Sequence, residues 1–169
     1  GIYLVANVNE NSIKKEVMLQ KGYDAVCYCD ILGHAQQKRN TFWHKVYKHL
    51  QGILLNRPTH VYDYSKHYKE LIGEMDKDEN VIPQIVPQWD HSPRGGRKTN
   101  IYINSTPKNF AKHVRMAMEA IKGKKEEHQI LMLKSWNEWA EGNYMEPDMT
   151  HGRGYIDALR QVIDEYKKR

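Results

Sequence analysis

The chain alternates between two hydrophobic periods. Short runs rich in β-branched and aromatic residues stand at 2–8 ("IYLVANV"), 24–29 ("DAVCYC"), 59–64 ("THVYDY"), 81–86 ("VIPQIV") and 129–136 ("QILMLKSW"), and each predicts a buried strand. Between them the apolar positions recur three and four apart. Phe42, Val46, Leu50 and Ile53 share one helical face, as do Tyr64, Tyr68, Leu71, Ile72 and Met75. The clearest helix starts with Thr106 as N-cap and Pro107 in the first turn. It turns Phe110, Val114, Ala117, Met118 and Ile121 inward and stops at Gly123. A last helix presents Tyr155, Leu159, Val162, Ile163 and Tyr166.

About five strand-helix units in alternation predict an α/β fold with a parallel sheet and helical crossovers, forming one domain over residues 1–169. The longest irregular stretches, 87–100 and 137–154, each follow a predicted strand. Loops at the carboxyl ends of parallel strands line the ligand crevice of such folds, so these two mark one mouth. A closed (β/α)8 barrel needs about 250 residues. The chain therefore reads as an open sheet of its own or as the C-terminal part of a barrel.

Composition narrows the function classes. No apolar run nears the roughly 18 residues of a membrane-spanning helix, and the first residues lack the basic start and cleavage site of a secretory signal. The chain starts at Gly1 rather than Met, which leaves room for an upstream segment; the expected location is cytoplasmic. Cys27 and Cys29 would point to one strand face too far apart to bridge easily, so thiols are expected. A net charge of +5 permits polyanion binding, but the basic residues are scattered and "KGKKEEH" at 122–128 reads as a solvated loop. No nucleic-acid partner is expected. The histidines are not spaced as metal ligands, and "HGRGY" at 151–155 lacks the lysine and length of a phosphate-binding loop. Neither a metal nor another cofactor is expected.

The chemistry concentrates in "SWNEWAEGNYMEPD" at 135–148. Glu138 and Glu141 are three apart; on a helical turn their Cβ atoms would lie about 5 to 6 Å from each other. Retaining glycosidases hold two carboxyls about 5 to 5.5 Å apart, one as proton donor and the other as base or nucleophile. Trp136, Trp139 and Tyr144 offer flat apolar faces for sugar rings, and Glu146 and Asp148 add carboxylates for hydroxyl groups. The alternative from spacing alone is a helix N-terminus capped by Asn137, with glutamates favoured by the dipole. In the other loop Trp89 supplies an aromatic platform, Asp90 an acceptor, and Arg94, beside Gly95 and Gly96, a forked donor.

These stretches, with "VIPQIVPQWDHSPRGG" and "YINSTPKNFAKHV", resemble the WbsX-type proteins of bacterial surface-polysaccharide gene clusters. Those are known as glycosyltransferases and are related to glycoside hydrolase family 99. The resemblance implies that the chain is the C-terminal half of a (β/α)8 barrel. It implies that Glu138 draws the proton from a sugar 2-hydroxyl, promoting a 1,2-anhydro intermediate, and that Glu141 is the acid/base at the glycosidic oxygen. Trp89, Asp90, Arg94, Trp136, Asn137, Trp139, Tyr144, Glu146 and Asp148 would then bind a glycan of lipopolysaccharide or related polysaccharide metabolism. Ala140 stands where the hydrolase relatives usually have histidine, so mannose specificity does not carry over. A half-length barrel would cover its sheet edges by homo-oligomerisation, and a non-catalytic sugar-binding remnant is the alternative.

Overall fold

The predicted runs do form hydrogen-bonded ladders. A computed structural model describes residues 1–9, 13–28, 60–96 and 99–168, with 46, 50 and 58 as single positions. Strand β1 (Val5–Val8) lies parallel to β2 (Ala25–Tyr28), the two being joined through helix α1 (Lys15–Gln20). Strand β2 hands on to the next run through a parallel bridge between Val26 and Val81: Val26 N donates to Asn80 O (2.9 Å) and Ile82 N to Val26 O (2.8 Å). Three residues on, β4 (Gln84–Ile85) pairs in parallel with β6 (Met132–Leu133). Four of the five predicted runs therefore stand side by side in chain order, as successive crossover units require.

The fifth, β3 (His60–Asp63), pairs in parallel with β5 (Asn100–Ile103), whose start lies inside a stretch predicted to be irregular. The architecture is mixed α/β with short parallel sheets, and among the described residues the ladders do not close into a barrel.

The helix predicted over Tyr64 to Met75 is broken. Asp63 caps α2 (Tyr64–His67) by accepting from Ser65 N at 3.0 Å, a 3₁₀ turn Tyr68–Glu70 follows, and the extended Gly73 separates it from a second turn, Glu74–Lys77. Tyr64, Tyr68 and Leu71 are nevertheless buried, and Ile72 and Met75 partly so, although the backbone is not continuous. Of the Phe42-to-Ile53 stripe, Val46 and Leu50 are helical; Phe42, Ile53 and Cys29 lie outside the described residues. Cys27 is buried, its Sγ accepting from Gln84 Nε2 at 3.1 Å. No described helix is long and apolar enough to cross a membrane.

The long helix forms as its signals require. After a short helix, α3 (Ser92–Gly95), helix α4 (Pro107–Ile121) starts where Thr106 Oγ1 accepts from Asn109 N at 3.3 Å. Its buried face meets α5 (Gly154–Lys167) in a cluster of Phe110, Val114, Ala117, Tyr155, Ala158 and Val162 that also holds Ile85. Gly154 allows the close approach: a Cβ there would lie 2.8 Å from Pro107 Cγ. At the far end Arg115 grips both oxygens of Glu165 at 2.9 Å.

A second cluster joins Tyr62, Tyr64, Tyr68, Leu71, Val86, Trp89 and Tyr102. Within it Tyr64 OH donates to Val86 O (2.6 Å) and meets His113 Nδ1 at 2.9 Å. The single hydroxyl hydrogen is used on Val86, so Nδ1 must carry the proton of that second bond. Burial pushes His113 from an ordinary 6.5 down to about 4. The unfolded chain takes up this proton first as the pH falls, so the fold loses stability below about pH 6.5, and the loss levels off near pH 4, amounting to about 3 kcal/mol. Denaturant unfolding at pH 7 and pH 4.5 should show that loss, and His113→Asn should flatten the slope between them.

Candidate functional site

Two loops leave the carboxyl ends of the adjacent strands β4 and β6. The first doubles back on β5: Tyr102 N donates to Trp89 O (2.7 Å), and Asp90 forms an antiparallel bridge with Ile101. Asp90 Oδ1 then accepts from Ser92 N (2.9 Å) and starts α3, with Pro93 in its first turn. His91 and Arg94, three apart, come to the same side.

The second loop is not the helical turn expected from the spacing. Asn137–Glu138 forms strand β7 and pairs antiparallel with β8 (Asn143–Tyr144), with the 3₁₀ turn Trp139–Glu141 at the tip. Gly142 closes it in the left-handed region (φ +52°), donating to Trp139 O at 3.0 Å. Asn143 Oδ1 accepts from Ser135 N (2.8 Å), which fixes the base of the hairpin. Asn137 is thus a hairpin residue rather than a helix cap: a left-handed glycine one residue past Glu141 stops any helix from propagating.

The loops dock on each other at Gly142. Asp90 N donates to Glu141 O at 2.9 Å, and a Cβ on Gly142 would lie 3.0 Å from both Asp90 N and Asp90 Cβ, so any side chain there would force the loops apart. Docking brings charge together across the mouth. Arg94 Nη1 donates to Glu141 Oε1 at 2.9 Å, His91 Nε2 reaches the same oxygen at 3.2 Å, and Arg94 Nη1 stands 3.8 Å from Glu138 Oε1. One guanidinium nitrogen thus faces both carboxylates. Glu141 is mostly covered, its side chain 19% exposed, whereas Glu138 is 40% exposed.

Beside this cluster lies an aromatic stack. The rings of Trp139 and Tyr144 are 3.7 Å apart and 13° from parallel. Glu146 Oε2 accepts from Trp139 Nε1 at 2.6 Å, and the Tyr144 phenol is hydrogen-bonded to Asp148. Burial and that carboxylate raise the Tyr144 phenol above its usual range. Asp148 itself, although burial opposes it, is held below the usual carboxylate range by backbone donors from His151 and Thr150. Glu146 and Asp148 therefore brace the stack and its loop. Trp139 and Trp136 remain about half exposed, at 48% and 50%, and the Trp136 carbonyl accepts from Met145 N at 2.8 Å.

Trp89 sits differently from its expected role as an open platform. It is buried in the tyrosine-rich cluster, with Lys134 Nζ 4.8 Å from its ring centre. His91 and Lys134 join the site without having been expected there. His91 could have been found in "DHSPR", where a proline-led turn puts histidine and arginine one turn apart; Lys134 carried no local signal.

A family model described as "Glycosyltransferase WbsX" matches residues 1–159. The uncharacterized protein WxcX of Xanthomonas campestris pv. campestris strain B100 is 31% identical over 101 residues, and WxcX of strain ATCC 33913 gives the same figures. The match covers 57% of this chain and 14% of WxcX, so the chain corresponds to a small part of that relative's length. No solved structure matches.

Proposed function

The chain belongs to the WbsX glycosyltransferase family, and from that premise we propose that it acts on glycosidic bonds of bacterial surface polysaccharide with Glu138 and Glu141 as its reacting pair. The observation that carries the reading is the shared guanidinium. Because Arg94 Nη1 lies 2.9 Å from one carboxylate oxygen and 3.8 Å from the other, those two oxygens are at most about 6.7 Å apart, a spacing that accommodates the roughly 5 to 5.5 Å of a retaining pair.

The chemistry proposed follows the family resemblance. Glu138, the more exposed, takes the proton of the sugar 2-hydroxyl as that oxygen attacks the anomeric carbon. Glu141 gives its proton to the departing glycosidic oxygen. A 1,2-anhydro sugar results; an acceptor hydroxyl, deprotonated by Glu141, then attacks the anomeric carbon, the bond from that carbon to the 2-oxygen breaks, and Glu138 returns its proton to the 2-oxygen, giving overall retention. The acceptor is water in cleavage and a second glycan in transfer. The stacked Trp139 and Tyr144 give a ring-sized apolar face beside the pair. On this reading the row from β1 through β2 and β4 to β6 is the C-terminal portion of a (β/α)8 barrel, and the two docked loops sit at its catalytic face.

One observation favours binding without turnover: Glu141 Oε1 is engaged by Arg94 and His91, so an entering sugar must compete for it. Incubation with a panel of 4-nitrophenyl hexosides and an alcohol acceptor, followed by proton NMR of the first product, separates the readings. Products of unchanged anomeric configuration are expected. Inverted products would exclude the proposed roles, and binding without product on any member would leave the non-catalytic reading.

A further inference from the structure

The two glutamates differ in what holds them. Arg94 Nη1 faces both, 2.9 Å from Glu141 Oε1 and 3.8 Å from Glu138 Oε1, so the guanidinium alone does not make one the acid and the other the base. His91 does distinguish them. Its Nε2 is 3.2 Å from Glu141 Oε1, within N–H···O reach, and among the described residues it makes no such contact with Glu138. The surrounding backbone and rings hold the imidazole in place. His91 N donates to Asn100 O (3.4 Å), His91 O accepts from Arg94 N (3.2 Å) and Gly95 N (3.0 Å), and the ring centre lies 6.1 Å from that of the buried Trp89. Gly95 leaves the ring its space: a Cβ there would stand 3.3 Å from His91 Nδ1.

Donor and acceptor capacity then singles out one oxygen of Glu141. An arginine nitrogen can only donate, and a carboxyl oxygen accepts about two hydrogen bonds. With Arg94 Nη1 at 2.9 Å and His91 Nε2 at 3.2 Å, both acceptor positions of Oε1 are taken, whereas no described residue bonds to Oε2. We infer that His91 is a positioning residue for the proposed reaction: by donating from Nε2 to Oε1 it turns Glu141 so that Oε2 exchanges protons with the sugar. This role rests on the glycosidic reading of the pair and adds how its acid is chosen. In the first step the proton leaves Oε2 for the glycosidic oxygen, and the carboxylate charge that forms is met at Oε1 by two N–H groups already in place. In the second Oε2 takes the proton of the acceptor hydroxyl. His91 keeps its own proton throughout, and a sugar that meets Oε2 displaces neither Arg94 nor His91.

Two measurements test the role, one of them independent of turnover. Long-range nitrogen–proton correlation spectra of the histidine side chains at neutral pH, with His91→Gln used to assign the His91 signals, should show a proton on Nε2. A ring protonated on Nδ1 alone would make Nε2 an acceptor and overturn the inference whether or not the chain is active. The kinetic arm compares His91→Ala and His91→Gln on hexosides of 4-nitrophenol and 2,4-dinitrophenol. His91→Ala should lower kcat on the 4-nitrophenyl substrate about 10- to 100-fold with KM within about twofold, and the loss should fall below about threefold when 2,4-dinitrophenolate leaves without a proton. Glutamine, whose side-chain amide can donate near the former Nε2 position, should restore all but about threefold of the rate. A retained KM also verifies that the variants are folded. If His91 only braced its loop, KM would rise and both leaving groups would suffer alike, which overturns the inference; equal losses in the two variants do the same. Wild-type chain that turns over no hexoside removes the glycosidic reading, and this role with it, even where Nε2 carries the proton.

Discussion

Glu141→Gln should lower turnover of a 4-nitrophenyl hexoside with an alcohol acceptor by about 10³-fold while leaving sugar affinity within about threefold, a loss of about 4 kcal/mol of transition-state stabilisation. The substitution is nearly isosteric. The amide oxygen can still accept from Arg94 Nη1 and His91 Nε2, which now lie 2.9 and 3.2 Å from Glu141 Oε1, so the docked loops should keep their geometry. What disappears is the exchangeable proton. The deficit should therefore shrink with a leaving group that departs without protonation, such as 2,4-dinitrophenolate. Steady-state kinetics on the two leaving groups, with titration of unreactive sugar as the control, measures both parts. A loss below about tenfold would mean that Glu141 serves only the ion pair with Arg94, as a partly exposed pair can without chemical consequence.

Spacing did place Glu138 near Glu141, yet by a different route from the one the spacing implied. The three-residue interval suggested a helical face, and the chain turns it into a hairpin because Gly142 takes up a left-handed backbone and Asn143 pins Ser135. The arginine between the carboxylates lies 47 residues from Glu141 along the chain, a contact that no local period can encode. Composition could mark Trp89 as aromatic and next to charge, but not that the tyrosines of β3 and α2 would enclose it. The same limit hid β5. Its run at 100–103 begins inside a loop rich in glycine and proline, and its partner β3 lies forty residues earlier. By contrast α4 was legible almost to the residue: Thr106, Pro107 and the apolar stripe are local signals with local causes.

The site depends on that legible part. Ile85, in the strand that leads to the Arg94 loop, and Met145, one residue past β8, belong to the same buried cluster as Phe110. The core beneath α4 thus anchors both loops whose docking brings the charges together. It does so mostly through apolar contacts, which carry little directional information, so the finer alignment falls to the backbone bond from Asp90 to Glu141 and to the absence of a side chain at Gly142.

Phe110→Ala should accordingly destabilise the fold by about 3 to 5 kcal/mol, the usual range for deleting a buried phenyl ring. Phe110 is fully buried and packs edge-to-face on Tyr155, ring centres 5.7 Å apart at 63°, between Val114 and Val162. Its loss removes the transfer free energy of the ring and leaves a void that the close-packed helices α4 and α5 fill only in part. Phe110→Leu, which refills most of the volume, should recover more than half of the loss. Val61→Ala, on a side chain 40% exposed, should change stability by less than about 0.5 kcal/mol. Denaturant titrations of the three variants at neutral pH measure the series. If Phe110→Ala cost no more than Val61→Ala, α4 would not be the element that seats the two loops, and the geometry of the glutamate pair would need another origin.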